Sequence, residues 1–353
     1  MKNQPCCITT SLTAIMLGIG LLSLGIGSAS ALDGVECVER SLDIYQPLAD
    51  GVDSRCRRAI PVTGTLLKRS YILCTPSKIK ADPEPVSLVL AFHGGGDNAN
   101  AAAFQSRTQW EVSALKNEFI VAYPNGCGTN TLLPGQATKF LCDSTGNNKS
   151  WNAQGDIPRG VQELCKIDDH AFVEQIIADI QGQYPIKPDK IFAFGHSKGG
   201  TFAYSLACDL STQFAAIGVT AATLTDVSCQ PNHAVSIFHV HNLRDPIIPF
   251  EGGGSEFEWP PVTPGLEFWA AVNGCALSIN NHDFSDNVCA EAVCSTGLQV
   301  ELCLVDETGD TTIDTASAHR YQTYDEAFSL RNYNKKKDIY KNIRDAFAER
   351  YLE

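Results

Sequence analysis

Residues 192–200 read Phe-Ala-Phe-Gly-His-Ser-Lys-Gly-Gly, an apolar run that ends abruptly with a hydroxyl set between glycines. A strand, a sharp turn carrying a serine and a helix-like "GTFAYSLA" form an arrangement that displays a nucleophile. The flanking glycines lack the β-carbons that would clash where strand meets helix. A helix start also supplies a positive dipole end and N–H groups for a developing oxyanion. Ser197 is the candidate nucleophile. The five-residue Gly-x-Ser-x-Gly pattern alone fits an ordinary glycine turn equally well, and the neighbouring strand and helix favour the nucleophile.

A serine hydroxyl is a weak nucleophile without a base, and the base needs an orienting carboxylate. For a serine in this kind of turn, the chain order is Ser, then Asp or Glu, then His. Asp245, in "HNLRDPIIPF" after the strand-like "VSIFHVHN", is the candidate acid; a solvated turn aspartate is the competing role, and Asp226 is the alternative acid. Only His282 and His319 lie downstream. His282 sits among polar turn residues in "INNHDFSDN", whereas His319 follows the strand-like "LQVELCLVDE" across "TGDTTIDTASA" and is the candidate base. His196, His239 and His241 come too early or lie within strands, and read as structural. "LAFHGGGDN" ends another strand in glycines, so the backbone of Gly94 or Gly95, with that of Lys198, is the candidate oxyanion hole. A phosphate cradle would need a following Gly-Lys-Ser/Thr, which is missing.

The elements that must hold these groups alternate along the chain. "RSYILCTP", "VSLVLAF", "EFIVAYP", "DKIFAF", "FAAIGVT" and "AVSIFHVHN" read as strands, several of them apolar on both faces. The segment "DDHAFVEQIIADIQGQY" places Phe172, Ile176, Ile177 and Ile180 on one helical face, with Asp168 or Asp169 as N-cap. Such strands separated by helices require a mostly parallel sheet covered on both faces, so the fold class is α/β. Residues 32–68 read as an irregular N-terminal extension, 69–353 as one catalytic domain, 125–165 as a cross-linked insertion, and the C-terminus as an amphipathic helix through Ile339, Ile343, Phe347 and Tyr351.

Residues 1–31 hold a single charge, an apolar stretch and the small-x-small site Ala29-Ser30-Ala31, the pattern of a signal peptide. Without them the chain has 26 basic and 40 acidic residues, net charge −14, and 12 cysteines. The acidic balance argues against nucleic acid or anionic lipid as partner. Twelve cysteines in an exported chain, extracellular or periplasmic, suggest disulfides. A zinc site is disfavoured because the short pair Cys289 and Cys294 lacks a second pair and paired histidines. No metal or organic cofactor is required by this chemistry, and no membrane association is expected once the leader is removed.

In these segments, together with "VAYPNG", "SWNAQGD", "IFAFGHSKGGTFAYSLACDL" and "FWAAVNGC", the chain resembles the secreted α/β-hydrolase esterases that include feruloyl esterases, acetylxylan esterases and polyhydroxybutyrate depolymerases. The resemblance implies an α/β-hydrolase fold with disulfide-stapled loops. It implies Ser197 as nucleophile, Asp245 as acid and His319 as base, a Cys208 to Cys229 pair, and a region stapled by Cys275, Cys289, Cys294 and Cys303. Asn242 stands where the family commonly has glycine after the histidine of the acid motif, and His319 stands in "SAHRYQTYDE" rather than in a Gly-His-aromatic-Pro setting. The implied function is hydrolysis of feruloyl or acetyl esters of plant cell-wall polysaccharide, with hydroxybutyrate esters as alternative substrate. A non-catalytic binding protein and a serine peptidase are the competing classes. Trp110, Tyr123, Trp151 and Trp259 are candidates for stacking on a sugar or phenolic ring. Asn148-Lys149-Ser150 is a glycosylation sequon if the host is eukaryotic.

Overall fold

The protein is described here by a computed structural model covering residues 32–52, 56, 63–96, 99–129, 140–145, 147–153, 161–226, 228–254, 257–275, 289–294, 297–305, 319, 344 and 347–352. The leader-like 1–31, His282, Ile339 and Ile343 lie outside these residues.

Strands β1 (Val35–Gln46) and β2 (Thr65–Pro76) form a long hairpin-like pair, followed by β3 (Val86–Phe92) and β4 (Ile120–Pro124). The short β5 (Cys127–Thr129), β6 (Phe140–Leu141) and β7 (Asn147–Ser150) make a separate three-stranded sheet. Then come β8 (Ile186–His196), β9 (Ala216–Thr220), β10 (Ser236–Asn242), β11 (Cys289–Val293) and β12 (Gln299–Val305). The main sheet has the order β1-β2-β4-β3-β8-β9-β10-β12-β11. Its centre, β4 to β12, is parallel, and the pairs β1–β2, β2–β4 and β11–β12 are antiparallel. Every residue of β3, β4, β9 and β10 is buried, as strands covered on both faces must be.

Helices cover each face. Helices α1 (Ser77–Ala81), α2 (Ala101–Thr108), α3 (Trp110–Asn117) and α4 (Val161–Leu164) precede α5 (Asp169–Gln181), α6 (Lys198–Asp209) and α7 (Val262–Asn273). Phe172, Ile176, Phe202, Leu206 and Trp269 from α5 to α7 pack with Leu88, Leu90 and Ile237 on one side. Phe104, Trp110, Phe347 and Leu352 pack with Val89, Phe192 and Phe194 on the other. The helix expected over 168–184 is present, and Asp168 is its N-cap, accepting from the Ala171 N–H at 2.9 Å.

The expectation of an irregular 32–68 is corrected. Val35–Gln46 pairs along its whole length with β2 and forms one edge of the sheet, so these residues belong to the same layer as β8. Charged residues at the edge face solvent, which gives β1 its polar composition.

Six disulfides join the twelve cysteines among the described residues: Cys37–Cys74, Cys56–Cys165, Cys127–Cys142, Cys208–Cys229, Cys275–Cys294 and Cys289–Cys303. The one group of described residues with metal-like spacing, Cys289, Glu301 and Cys303, has its two sulfurs bonded to each other. No described helix is long and apolar enough to cross a membrane.

Burial holds four imidazoles neutral. That of His93 is pushed down to about 3, those of His196 and His239 well down, and that of His241 down, each with loss of hydration as the main cause. Below the ordinary value of 6.5 the unfolded chain binds protons at these positions that the folded chain does not, so stability falls as pH falls from 6.5 toward 3. The carboxyls of Glu111, Asp169 and Asp209, raised by burial, offset part of this loss. The expected result is a urea midpoint lower at pH 5 than at pH 7.

Candidate active site

Strand β8 delivers His196 to the sheet's carboxyl edge and α6 begins one residue after Ser197. Between them Ser197 adopts φ 53° and ψ −123°, a positive-φ conformation that a non-glycine residue keeps only when its surroundings enforce it. The enforcement is visible on both sides. Its N–H donates to the Thr220 carbonyl at 2.8 Å, and its carbonyl accepts from Gly200 and Thr201. A β-carbon on Gly195 would overlap the Gly199 carbonyl. One on Gly199 would overlap the Phe92 carbonyl and lie 2.5 Å from that of His93. Gly199→Ala is therefore expected to lose about 1–3 kcal/mol of stability and to displace the turn, read as a lowered melting temperature with activity lost alongside.

The Ser197 hydroxyl lies 3.0 Å from Nε2 of His319, and Nδ1 of His319 lies 2.7 Å from Oδ2 of Asp245. The carboxylate can only accept from Nδ1–H, which leaves Nε2 to accept from the serine. Asp245 is buried, and its other oxygen takes the N–H groups of Ile247 and Ile248, both at 2.9 Å. Three residues far apart in the chain thus form one hydrogen-bonded row. The alternative acid Asp226 is instead engaged in its own turn, accepting from Ser228.

A buried chain lies behind Asp245. His241 Nε2–H donates to the Ile248 carbonyl at 2.8 Å, so its Nδ1 accepts from His239 Nε2 at 3.2 Å, and His239 Nδ1 accepts from the Tyr204 hydroxyl at 2.8 Å. This chain fixes the loop on which Asp245 sits. The spacing of His239 and His241, two apart on a strand, was its signal in the sequence.

Opposite the serine, Gly94 passes so close that a β-carbon would lie 3.3 Å from that of Ser197. The Gly126 N–H donates to His93 Nε2 at 3.0 Å, so the proton of His93 is on Nδ1 and is donated to the Gly94 carbonyl at 2.6 Å. Burial that keeps this imidazole neutral preserves that pattern. Since the Ser197 N–H is spent on Thr220, the next N–H, that of Lys198, is the one at the helix start. The Lys198 ammonium reaches Glu163 in α4 as an ion pair with both side chains about nine-tenths buried. No feature of the sequence pointed to Glu163.

The aromatic candidates need correction. Trp110 and Tyr123 are completely buried: Trp110 packs edge-on against Phe194 and Phe347, and the Tyr123 hydroxyl donates to Glu111 at 2.7 Å. They belong to the core below the sheet and offer no ring to a ligand. Trp151 is also fully buried, stacked on Phe202, with its indole N–H on the His93 carbonyl at 2.8 Å. Trp259 is 6% exposed and donates to the Ile247 carbonyl at 2.6 Å. The last two brace the end of β3 at His93 and the loop of Ile247 rather than stacking on substrate.

The parallel sheet with a serine at a strand–helix turn, met by a histidine and an aspartate from later in the chain, is the α/β-hydrolase fold. An S-formylglutathione hydrolase from Agrobacterium tumefaciens superposes with a TM-score of 0.51 at 12% identity, over 92% of this chain and 99% of that one. Residues 77–256 match the phospholipase/carboxylesterase family, to which the chain belongs. It is 28% identical over 209 residues to a probable feruloyl esterase C of Aspergillus flavus, covering 59% of this chain and 63% of that protein. To a bifunctional acetylxylan esterase/xylanase of Neocallimastix patriciarum it is 27% identical over 164 residues, 46% of this chain and 20% of the relative. The matched region thus spans less than two thirds of either relative's length.

Proposed function

We propose that the protein is a serine carboxylic-ester hydrolase acting on feruloyl or acetyl esters of plant cell-wall polysaccharide. The observation that carries this reading is the row Ser197–His319–Asp245, with contacts of 3.0 and 2.7 Å, seated on a strained strand–helix turn. Ser197 Oγ attacks the ester carbonyl while His319 Nε2 takes its proton, and Asp245 steadies the imidazolium. The N–H groups of Lys198 and of Gly94 or Gly95 receive the oxyanion, the alcohol leaves with the proton from His319, and water repeats the sequence to release the acid.

The substrate class rests on the feruloyl and acetylxylan esterase names of the relatives. Six disulfides favour work outside the cytoplasm, extracellular or periplasmic. The test is hydrolysis of methyl ferulate, an aryl acetate, acetylated xylan fragments and a hydroxybutyrate oligomer by the wild type. Turnover of the first or third supports the reading. Turnover of the hydroxybutyrate oligomer alone replaces the substrate class, and inertness on all four overturns the enzyme in favour of a binding protein.

A further inference from the structure

We propose that the Ser150 side chain is a third donor to the oxyanion, so that the hole combines backbone N–H groups with one hydroxyl. This rests on the esterase reading above. Segment 149–151 is fastened to the oxyanion loop on both sides of Ser150. The Lys149 carbonyl accepts from the Gly96 N–H at 3.2 Å, and the Trp151 indole donates to the His93 carbonyl at 2.8 Å. Ser150 is thereby held facing Gly95. A β-carbon built on Gly95 would lie 3.4 Å from the Ser150 hydroxyl oxygen and 3.6 Å from the β-carbon of Lys198. The hydroxyl therefore sits on the same side of the Gly95 backbone as the residue after the nucleophile.

The position is rigid. The Lys149 side chain is fully buried and its ammonium is shared among the carbonyls of Gly126 at 3.5 Å, Leu141 at 3.3 Å and Asp143, which locks the small sheet beneath Ser150. Cys127, opposite Ser150 in the β5–β7 pairing, is bonded to Cys142. Ser150 is only partly buried, and among the described residues its hydroxyl makes no hydrogen bond, so its proton is available to a ligand. A neutral hydroxyl at a fixed place beside the Gly95 backbone, on the side facing Lys198, is suited to a charge that appears only in the tetrahedral state.

The expected result for Ser150→Ala, expressed in a host that does not glycosylate, is a fall in kcat of about 10²-fold with KM within about twofold of wild type. Affinity for an aryl trifluoromethyl ketone, whose adduct carries the oxyanion, should fall by a similar factor. Binding of the product acid should not change. Ser150→Thr, which keeps a hydroxyl, should restore most of kcat. Unchanged kcat in Ser150→Ala would overturn the proposal, as would a kcat loss without a matching loss of ketone affinity. Ser197→Ala run in parallel separates the two readings: if it stays fully active, Ser197 is not the nucleophile and the hole built around it fails with it, and if it is dead while Ser150→Ala is normal, only the third donor fails.

Discussion

Ser197→Ala and His319→Ala are each expected to lower kcat by about 10⁵–10⁶-fold, and the double variant should be scarcely worse than either single one. The three groups act as a unit: without the hydroxyl there is nothing to acylate, and without the imidazole at 3.0 Å the proton has no acceptor. Asp245→Asn should cost about 10⁴-fold, because an amide in place of the carboxylate 2.7 Å from Nδ1 no longer holds the base in the required tautomer. Residual activity of about 10³-fold over the uncatalysed rate should survive in all of them, supplied by the oxyanion donors. Folding should be intact in Ser197→Ala, so circular dichroism and the urea midpoint serve as controls. Ester turnover by stopped assay, with enzyme purified separately from any wild type, checks the losses.

Asp169→Ala is expected to destabilise the fold by about 3–5 kcal/mol. The Asp169 carboxylate, fully buried at the start of α5, takes Arg69 Nη2 at 2.6 Å and the Asn152 N–H at 2.7 Å. Arg69, equally buried, also donates to the Asn125 carbonyl at 3.3 Å and lies 4.0 Å over the Phe172 ring. Removal of the carboxylate strands a guanidinium in the interior and releases the segment that carries Trp151. Breaking such a pair costs more than replacing both partners. Arg69→Met combined with Asp169→Leu should accordingly recover part of the loss, and urea unfolding of the two variants measures the difference.

Much of this was legible in the sequence because its signals are local. Apolar runs of five to seven residues ending in glycine marked β3 and β8, and the spacing of Phe172, Ile176 and Ile180 marked α5 with its Asp168 cap. The serine turn could be read because both neighbours needed to be glycine, which the overlaps at Gly195 and Gly199 explain. His319 was harder: it is brought to Ser197 across 122 positions, and only its order after Asp245 and a strand selected it over His282.

What the sequence hid depends on faces and distances it does not encode. Trp110 and Tyr123 sit beside turns, where a ring serves a rim or a core equally well. The packing of Phe347 from the far end of the chain puts Trp110 inside. Edge strand β1 alternates buried and exposed residues only imperfectly, and its glutamates made it resemble a loop. Glu163 and Ser150 become neighbours of the nucleophile turn through a stapled insertion, tied by Cys56–Cys165 and Cys127–Cys142, with no periodic pattern.

The most direct test of the central claim is to quench turnover of a slowly released ester, such as methyl ferulate, with acid and map the trapped acyl group by peptide mass. The account predicts one acyl group per chain, on the peptide that holds Ser197, and none in Ser197→Ala. Acylation at another residue, or wild-type turnover that survives in Ser197→Ala, would contradict it.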